Sequence, residues 1–190
     1  MFEQIEKFDT FRDLCKHVVK DLKDNKVVAW FQDKSEFGPR ALGNRSLLVN
    51  PIFDNKDYLN SEVKYREFWR PYAPIVIEEE AKHWFNLPVD KSPHMLFNSS
   101  VVEDKRKLIP SVVHVDGSAR VQTVSKSDNK KIYMLLQEFF KETDVPVLLN
   151  TSFNLGGEPI VESPADAVKT FTESNIDVLV MHNYYCSKMK

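Results

Sequence analysis

Apolar positions along the chain keep changing period. Phe11, Leu14, Cys15, Val18, Val19 and Leu22 recur every three to four residues, which predicts a helix ending near Lys23. Thr10 with Asp13 three places on resembles a capping box, and Asp24-Asn25 stops the helix. Ile132, Leu135, Leu136, Phe139 and Phe140 share one face of a second helix over 128–143, broken by Asp144-Val145-Pro146. Ser163-Pro164-Ala165-Asp166 opens a third, with Ala167, Val168 and Phe171 directed inward. Shorter helices are expected at 57–65, with Leu59 and Val63 facing in, and at 78–85. Between them, 27–31, 47–49, 75–77, 147–149 and 177–181 read as strands. A further strand is expected at 95–97, and 112–115 with 121–124 read as a hairpin around Asp116-Gly117. The tail past Tyr185 is expected to fray. Strands and helices alternate without repeats or a linker, so 1–190 reads as one α/β domain with a mixed sheet flanked by helices.

Composition narrows the function classes. A chain of 190 residues can bury a real core. Its net charge of −2 argues against coating nucleic acid, while leaving room for a local basic pocket. No apolar run approaches the roughly 20 residues that span a bilayer. The first nine residues carry charges where a signal peptide needs an apolar stretch. Cys15 and Cys186 stand at opposite ends without metal-type spacing. They read as free thiols of a cytoplasmic protein, with a disulfide as the alternative.

Polar chemistry gathers in four separated segments. In EFGPRALGNRS (36–46), Arg40 and Arg45 offer planar donor forks suited to phosphate or carboxylate, and Gly38 and Gly43 allow close backbone approach. In KYREFWRPYAP (64–74), Lys64, Arg66 and Arg70 interleave with aromatics and suit an anionic or stacked ligand. In HVDGSARVQTV (114–124), a strand would point His114 and Asp116 the same way, with Arg120 at its end. In 150–159, Asn150, Ser152 and Asn154 lead into Gly156-Gly157 and offer neutral hydrogen bonds at a strand end. Each also has a plain structural reading: a turn with surface ion pairs, a helix end, an Asp–Arg pair, a loop.

Together these strings resemble the C-terminal domain of the antibiotic- and nodulation-type O-carbamoyltransferases. EFGPRALGNRS, HVDGSARVQTV and LLNTSFN are long enough to be specific, and the likeness runs from about Lys26 to Met181. The resemblance implies a YrdC-like fold, a twisted α/β sheet shared with the threonylcarbamoyl-adenylate synthases. Lys64-Tyr65-Arg66 resembles the Lys-x-Arg of that wider family, and Ser152-Phe153-Asn154 its Ser-x-Asn.

It also implies a reaction. Carbamoyl phosphate is cleaved to carbamate, whose oxygen attacks the α-phosphorus of ATP with Mg²⁺ present; pyrophosphate leaves and carbamoyl-adenylate is held. Lys64, Arg66 and Arg70 would then be catalytic. Arg40, Arg45, Ser46, His114, Arg120, Asn150, Ser152 and Asn154 would bind substrate, and Asp116 would hold Mg²⁺. No nucleophile triad is recognisable, so no covalent enzyme intermediate is expected.

Two departures stand out. Where these enzymes carry Gly-Arg just before the first string, this chain has Asp33-Lys34. Their larger N-terminal actin-like domain, which passes the carbamoyl group to an acceptor alcohol, has no counterpart in these 190 residues. A separate actin-like subunit is therefore the expected partner, with this chain a stand-alone subunit, an excised domain or half of a split gene. The alternatives are a non-catalytic nucleotide- or phosphate-binding regulator and an RNA-binding YrdC-like domain.

Overall fold

The computed structural model describes residues 2–188. Helix α1 (Phe11–Lys23) starts where Thr10 accepts the Asp13 amide at 3.2 Å and stops at Asp24, followed by Asn25 at φ 60°. Strands β2 (Val28–Phe31) and β3 (Arg45–Val49) flank the first arginine segment, and every residue of both is buried. The 57–65 pattern becomes a short helix α2 (Lys56–Tyr58) continued by a π-helical turn, Leu59–Val63, with Leu59 and Val63 at zero exposure. Strand β4 (Ala73–Ile77) follows. The 78–85 segment is a 3₁₀ turn, Glu78–Glu80, leading into α3 (Ala81–Trp84).

Beyond it lie β5 (Asn98–Ser100), β6 (Ser118–Arg120) and β7 (Gln122–Val124). Helix α4 (Lys130–Thr143) is capped by Asn129 and ended by Asp144 at φ 57°. Then come β8 (Val147–Ser152), α5 (Pro164–Thr172) with a full Ser163–Asp166 capping box, and β9 (Val178–Met181). Two further strands complete the sheet: β1 (Phe2–Lys7) and β10 (Tyr184–Lys188).

Eight strands form one mixed sheet in the order β1-β10-β9-β2-β3-β8-β4-β7, and β5-β6 form a separate pair. Only β2–β9 and β4–β7 are parallel among these neighbours. Helices α1 and α4 pack on each other; α1 contacts β2, α4 contacts β4 and β8, and α5 covers β9 and β2. The helical faces read from the sequence are mostly the buried ones, with Phe11 and Phe140 only partly covered and Val168 the exception. This topology decides where the polar segments go. β3 and β4 both run antiparallel to β8, and β7 runs parallel to β4. The start of β3, the end of β8, the start of β4 and the start of β7 therefore share one end of the sheet. All four segments converge there.

Several expectations fail, each for a local reason. Residues 95–97 are not a strand: a turn at 93–94 leads into a bend at Met95, which sits at φ 55° and is buried, while Leu96 is left 74% exposed. Residues 112–115 and 121–124 do not pair. Pro110 starts a 3₁₀ turn through Val112, Val115 is fully exposed, and β6 and β7 join different partners on either side of Val121. The Asp116-Gly117 turn itself forms, closed by Gly117 N–H to His114 O at 2.9 Å with Gly117 at φ 79°. Val168 is 37% exposed and Thr170 takes the inward position on α5. Finally, the chain past Tyr185 does not fray through Lys188. β10 is sandwiched between β9 and β1, with Tyr185 buried and its hydroxyl donating to Asp21 at 2.9 Å.

Candidate anion-binding cleft

The first arginine segment is built around one carboxylate. Glu36 Oε1 accepts the amides of Leu42 at 2.7 Å, Asn44 at 2.8 Å and Arg45 at 3.4 Å, which curls the loop. From below, Asn150 Nδ2 donates to Ala41 O at 3.1 Å and Gln122 Nε2 to Leu42 O at 2.8 Å, while the two side chains bond each other at 2.8 Å. A buried pair of amides on β8 and β7 thus carries the loop, with Arg40 left exposed above it.

Arg40, Arg66, Arg70 and Arg120 line one cleft of about 270 Å³ together with Tyr72, Met95, Asn150 and Ser152. No carboxylate is among its lining residues. Arg66 is held in place: its Nε donates to Asn60 Oδ1 at 2.9 Å and its guanidinium lies 4.3 Å over the Tyr72 ring. Tyr72 donates to the same Asn60 oxygen at 2.7 Å, and Asn60 is buried within the π-helical turn. Arg66 Nη2 and Arg120 Nε are buried without a hydrogen-bond partner. Burial, and then Arg40 nearby, pull Arg120 below the ordinary guanidinium range. Burial raises the Tyr72 hydroxyl to about 12, against the pull of Arg66 and Arg70. Arg70 has an exposed, loose ion pair with Glu67 at 3.7 Å, but Arg66 and Arg120 keep unused donors, and such clustered cations form a site that an oxyanion would complete.

Lys64 sits beneath the arginines at 3% exposure. Its Nζ reaches Ser152 O at 2.8 Å, Ser152 Oγ at 3.3 Å, Asn154 O at 2.9 Å and Asn154 Oδ1 at 2.5 Å. Burial, with Arg66 and Arg70 adding repulsion, brings its ammonium down to about 7. The loop after β8 comes so close that a Cβ on Gly156 would meet Lys64 O at 2.5 Å and Tyr65 O at 2.8 Å. Glycine is required there by backbone proximity, not by dihedral angle.

The remaining candidates lie elsewhere. Arg45 is inside β3 and 3% exposed; its guanidinium stacks 3.6 Å over Phe31 and donates to Gln32 O at 2.6 Å and Asp33 O at 3.1 Å. Ser46 is fully buried and accepts the Gly43 amide at 3.1 Å. His114 borders a side pocket that shares Pro71, Tyr72, Ala73 and Arg120 with the cleft; burial lowers its imidazole, with Asp116 opposing. Asp116 is exposed and accepts the amide of Ser118 at 2.9 Å, which lowers its carboxyl along with the Ser118 hydroxyl. It lines neither space, and among the described residues no three acidic, His or Cys side chains gather as metal ligands. The donor set does not fit a magnesium ion held by this chain.

Glu36, Gln122, Asn60 and Met95 belong to the site but were not singled out from the sequence. Glu36 and Gln122 stand inside the specific strings; Asn60 and Met95 carry no local signal. Among the described residues no helix is long and apolar enough to cross a membrane.

Residues 19–188 match the family described as Carbamoyltransferase C-terminus. The nodulation protein NolNO of Sinorhizobium fredii is 47% identical over 188 residues, covering 97% of this chain and 27% of that protein. NolO of Bradyrhizobium diazoefficiens is 43% identical over 179 residues, covering 93% and 33%. Among solved structures, full-length HypF in its phosphate- and nucleotide-bound form overlays 94% of this chain and 22% of that one, with a TM-score of 0.60 at 19% identity. A double-mutant Sua5 from P. abyssi overlays 90% and 51%, with a TM-score of 0.58 at 12% identity. These two show a shared YrdC-like fold. The chain spans about a quarter to a third of the length of the two nodulation proteins. It belongs to the carbamoyltransferase C-terminus family.

Proposed function

We propose that this chain binds ATP and carbamoyl phosphate in the arginine cleft and forms carbamoyl-adenylate, which a separate actin-like subunit passes to an acceptor hydroxyl. The observation that carries this reading is the convergence of Arg40, Arg66, Arg70 and Arg120 on one cleft lined by no carboxylate. The phosphate- and nucleotide-bound state of HypF supports it as a likeness of fold.

Water cleaves carbamoyl phosphate to carbamate and phosphate. A carbamate oxygen then attacks the α-phosphorus of ATP, forming the new P–O bond as the bond to pyrophosphate breaks. Such transfers depend on positioning and charge neutralisation more than on covalent help. In this reading Arg66 and Arg70 neutralise the departing phosphates, and Arg40 and Arg120, which line the same cleft, add positive charge. Asn150 and Ser152 supply neutral polar atoms to the lining, and Asn150 Oδ1 has no partner. No step is derived through magnesium.

The test is carbamoyl-phosphate-dependent release of pyrophosphate from ATP, alone and with an actin-like carbamoyltransferase subunit added. Release that needs both substrates is expected. ATP binding without release in either setting would replace this reading with a non-catalytic nucleotide-binding module.

A further inference from the structure

One buried amide holds the second arginine segment from outside it. Asn60 stands in the π-helical turn and is 1% exposed. The turn closes with Lys64 N–H on Leu59 O at 2.8 Å, and Tyr65 at φ 45° then reverses the chain. Arg66 N–H returns to Asn60 O at 2.9 Å. The Asn60 side chain fixes three more points. Its Oδ1 accepts Arg66 Nε at 2.9 Å and the Tyr72 hydroxyl at 2.7 Å, and its Nδ2 donates to Phe68 O at 3.1 Å. Both lone pairs of Oδ1 are thereby used. π-Helical turns gather at functional sites, and this one carries the residue on which the 66–72 segment folds back.

An amide orients Arg66 without cancelling its charge. A carboxylate in the same place would hold the guanidinium more tightly and neutralise it. With Nε on Asn60 and the guanidinium stacked over Tyr72, the terminal nitrogens are left for a ligand, and Nη2 is buried without a partner. We propose that Asn60 is a positioning residue for anion binding: its neutral Oδ1 takes Arg66 Nε and leaves the terminal fork of a fully charged, already ordered guanidinium for an oxyanion. Ordering the side chain in advance removes part of the cost of binding. The part this plays in carbamoyl-adenylate formation rests on the function proposed above, whereas the anion-binding step does not.

Inorganic tripolyphosphate, titrated calorimetrically, probes the anion site without chemistry on a nucleotide. Asn60→Ala should weaken its binding about tenfold or more, because Arg66 must then be ordered by the ligand itself. The same substitution in an Arg66→Met background should change affinity less than about twofold, since the side chain through which Asn60 acts is gone. A residue that only stabilises the fold would cost the same in both backgrounds, and that result overturns the proposal. Asn60→Asp keeps both accepted bonds, loses the one to Phe68 O and adds a charge. At pH 7 it should also lose about tenfold or more in affinity, because the new carboxylate takes Arg66 as its counter-ion. Binding of parental strength in Asn60→Asp overturns the proposal, and this variant decides the matter if Asn60→Ala does not fold. Failure of the parent protein to bind tripolyphosphate overturns it as well. Tripolyphosphate binding without pyrophosphate release from ATP and carbamoyl phosphate would sink the carbamoyl-adenylate reading and leave this one standing.

Discussion

Arg40 and Arg45 sit five residues apart in one motif, and the structure assigns them opposite tasks. Replacing Arg45 by methionine keeps its bulk over Phe31 but removes the charged donors to Gln32 O and Asp33 O, at 2.6 and 3.1 Å, and the longer one to Glu162 O at 3.4 Å. A hydrogen bond from a charged group contributes about 1.5–3 kcal/mol, and buried carbonyls left unpaired add to the loss. Two short bonds therefore predict a destabilisation of about 3–6 kcal/mol, offset in part because Arg45 no longer has to be desolvated. That is a large share of the ~5–15 kcal/mol typical of a domain. Arg40→Met, by contrast, changes an exposed side chain and should move stability by no more than about 0.5 kcal/mol. Losing one charge-assisted contact to phosphate should weaken ATP binding about tenfold or more. Urea denaturation with unchanged m-values, run beside calorimetric ATP binding, separates the two. An Arg45→Met protein as stable as the parent but unable to bind ATP would refute the structural role given to Arg45.

Three further outcomes are expected. Gly156→Ala places a methyl 2.5 Å from Lys64 O and should push the Ser152–Gly157 loop outward by most of an ångström; misplacement of about 1 Å can cost ~100-fold in rate, so pyrophosphate release should fall far more than thermal stability does. Ligand-free stability should rise with pH from about 7 to 8.5, because Lys64 binds fewer protons folded than unfolded across that window. The slope should approach about 1.4 kcal/mol per pH unit and flatten in Lys64→Met, as read from denaturation midpoints. Ser163→Ala removes the N-cap of α5 and should cost about 1 kcal/mol with no change in ATP affinity.

The parts of this molecule legible in its sequence are those whose cause is local. Helix caps at Thr10 and Ser163, the apolar faces of α1 and α4, and buried strands such as Val28–Phe31 all follow from neighbours within a few residues. β1 has no local signal, because FEQIEK carries three charges in six residues, and pairing with β10 makes it a strand. The expected fraying past Tyr185 fails because pairing with β9 and β1, which the local sequence does not announce, holds Tyr184–Lys188 as a strand. In the cleft, the four segments were readable as chemistry, and sheet order then brought them to one end. Which arginine faces inward was not readable. Arg45 has the same composition around it as Arg40, but it falls within β3, where pairing with Phe31 turns it into the core. The hairpin expected at 112–124 failed because alternation alone does not reveal that Val121 divides two sheets.

Asp33-Lys34, where the carbamoyltransferases carry Gly-Arg, can now be judged by position. Asp33 has φ 45°, a left-handed conformation that glycine adopts freely and aspartate tolerates better than most residues. Its backbone carbonyl accepts Arg45 Nη2, and its carboxylate pairs with Lys131 at 2.7 Å. Lys34 contributes a carbonyl to Asn44 Nδ2 at 2.9 Å. Neither residue lines the cleft; both belong to the turn that carries the arginine loop away from β2. The departure is thus a change in how a tight turn is held. An exposed ion pair is worth about 0–1 kcal/mol, and relief of left-handed strain by glycine is of similar size. Asp33→Gly should therefore alter stability by less than about 1 kcal/mol and leave ATP affinity unchanged. A severalfold loss of affinity in a stable Asp33→Gly protein would mean that the Asp33–Lys131 pair sets the pose of Arg40, and that this turn reaches the ligand after all.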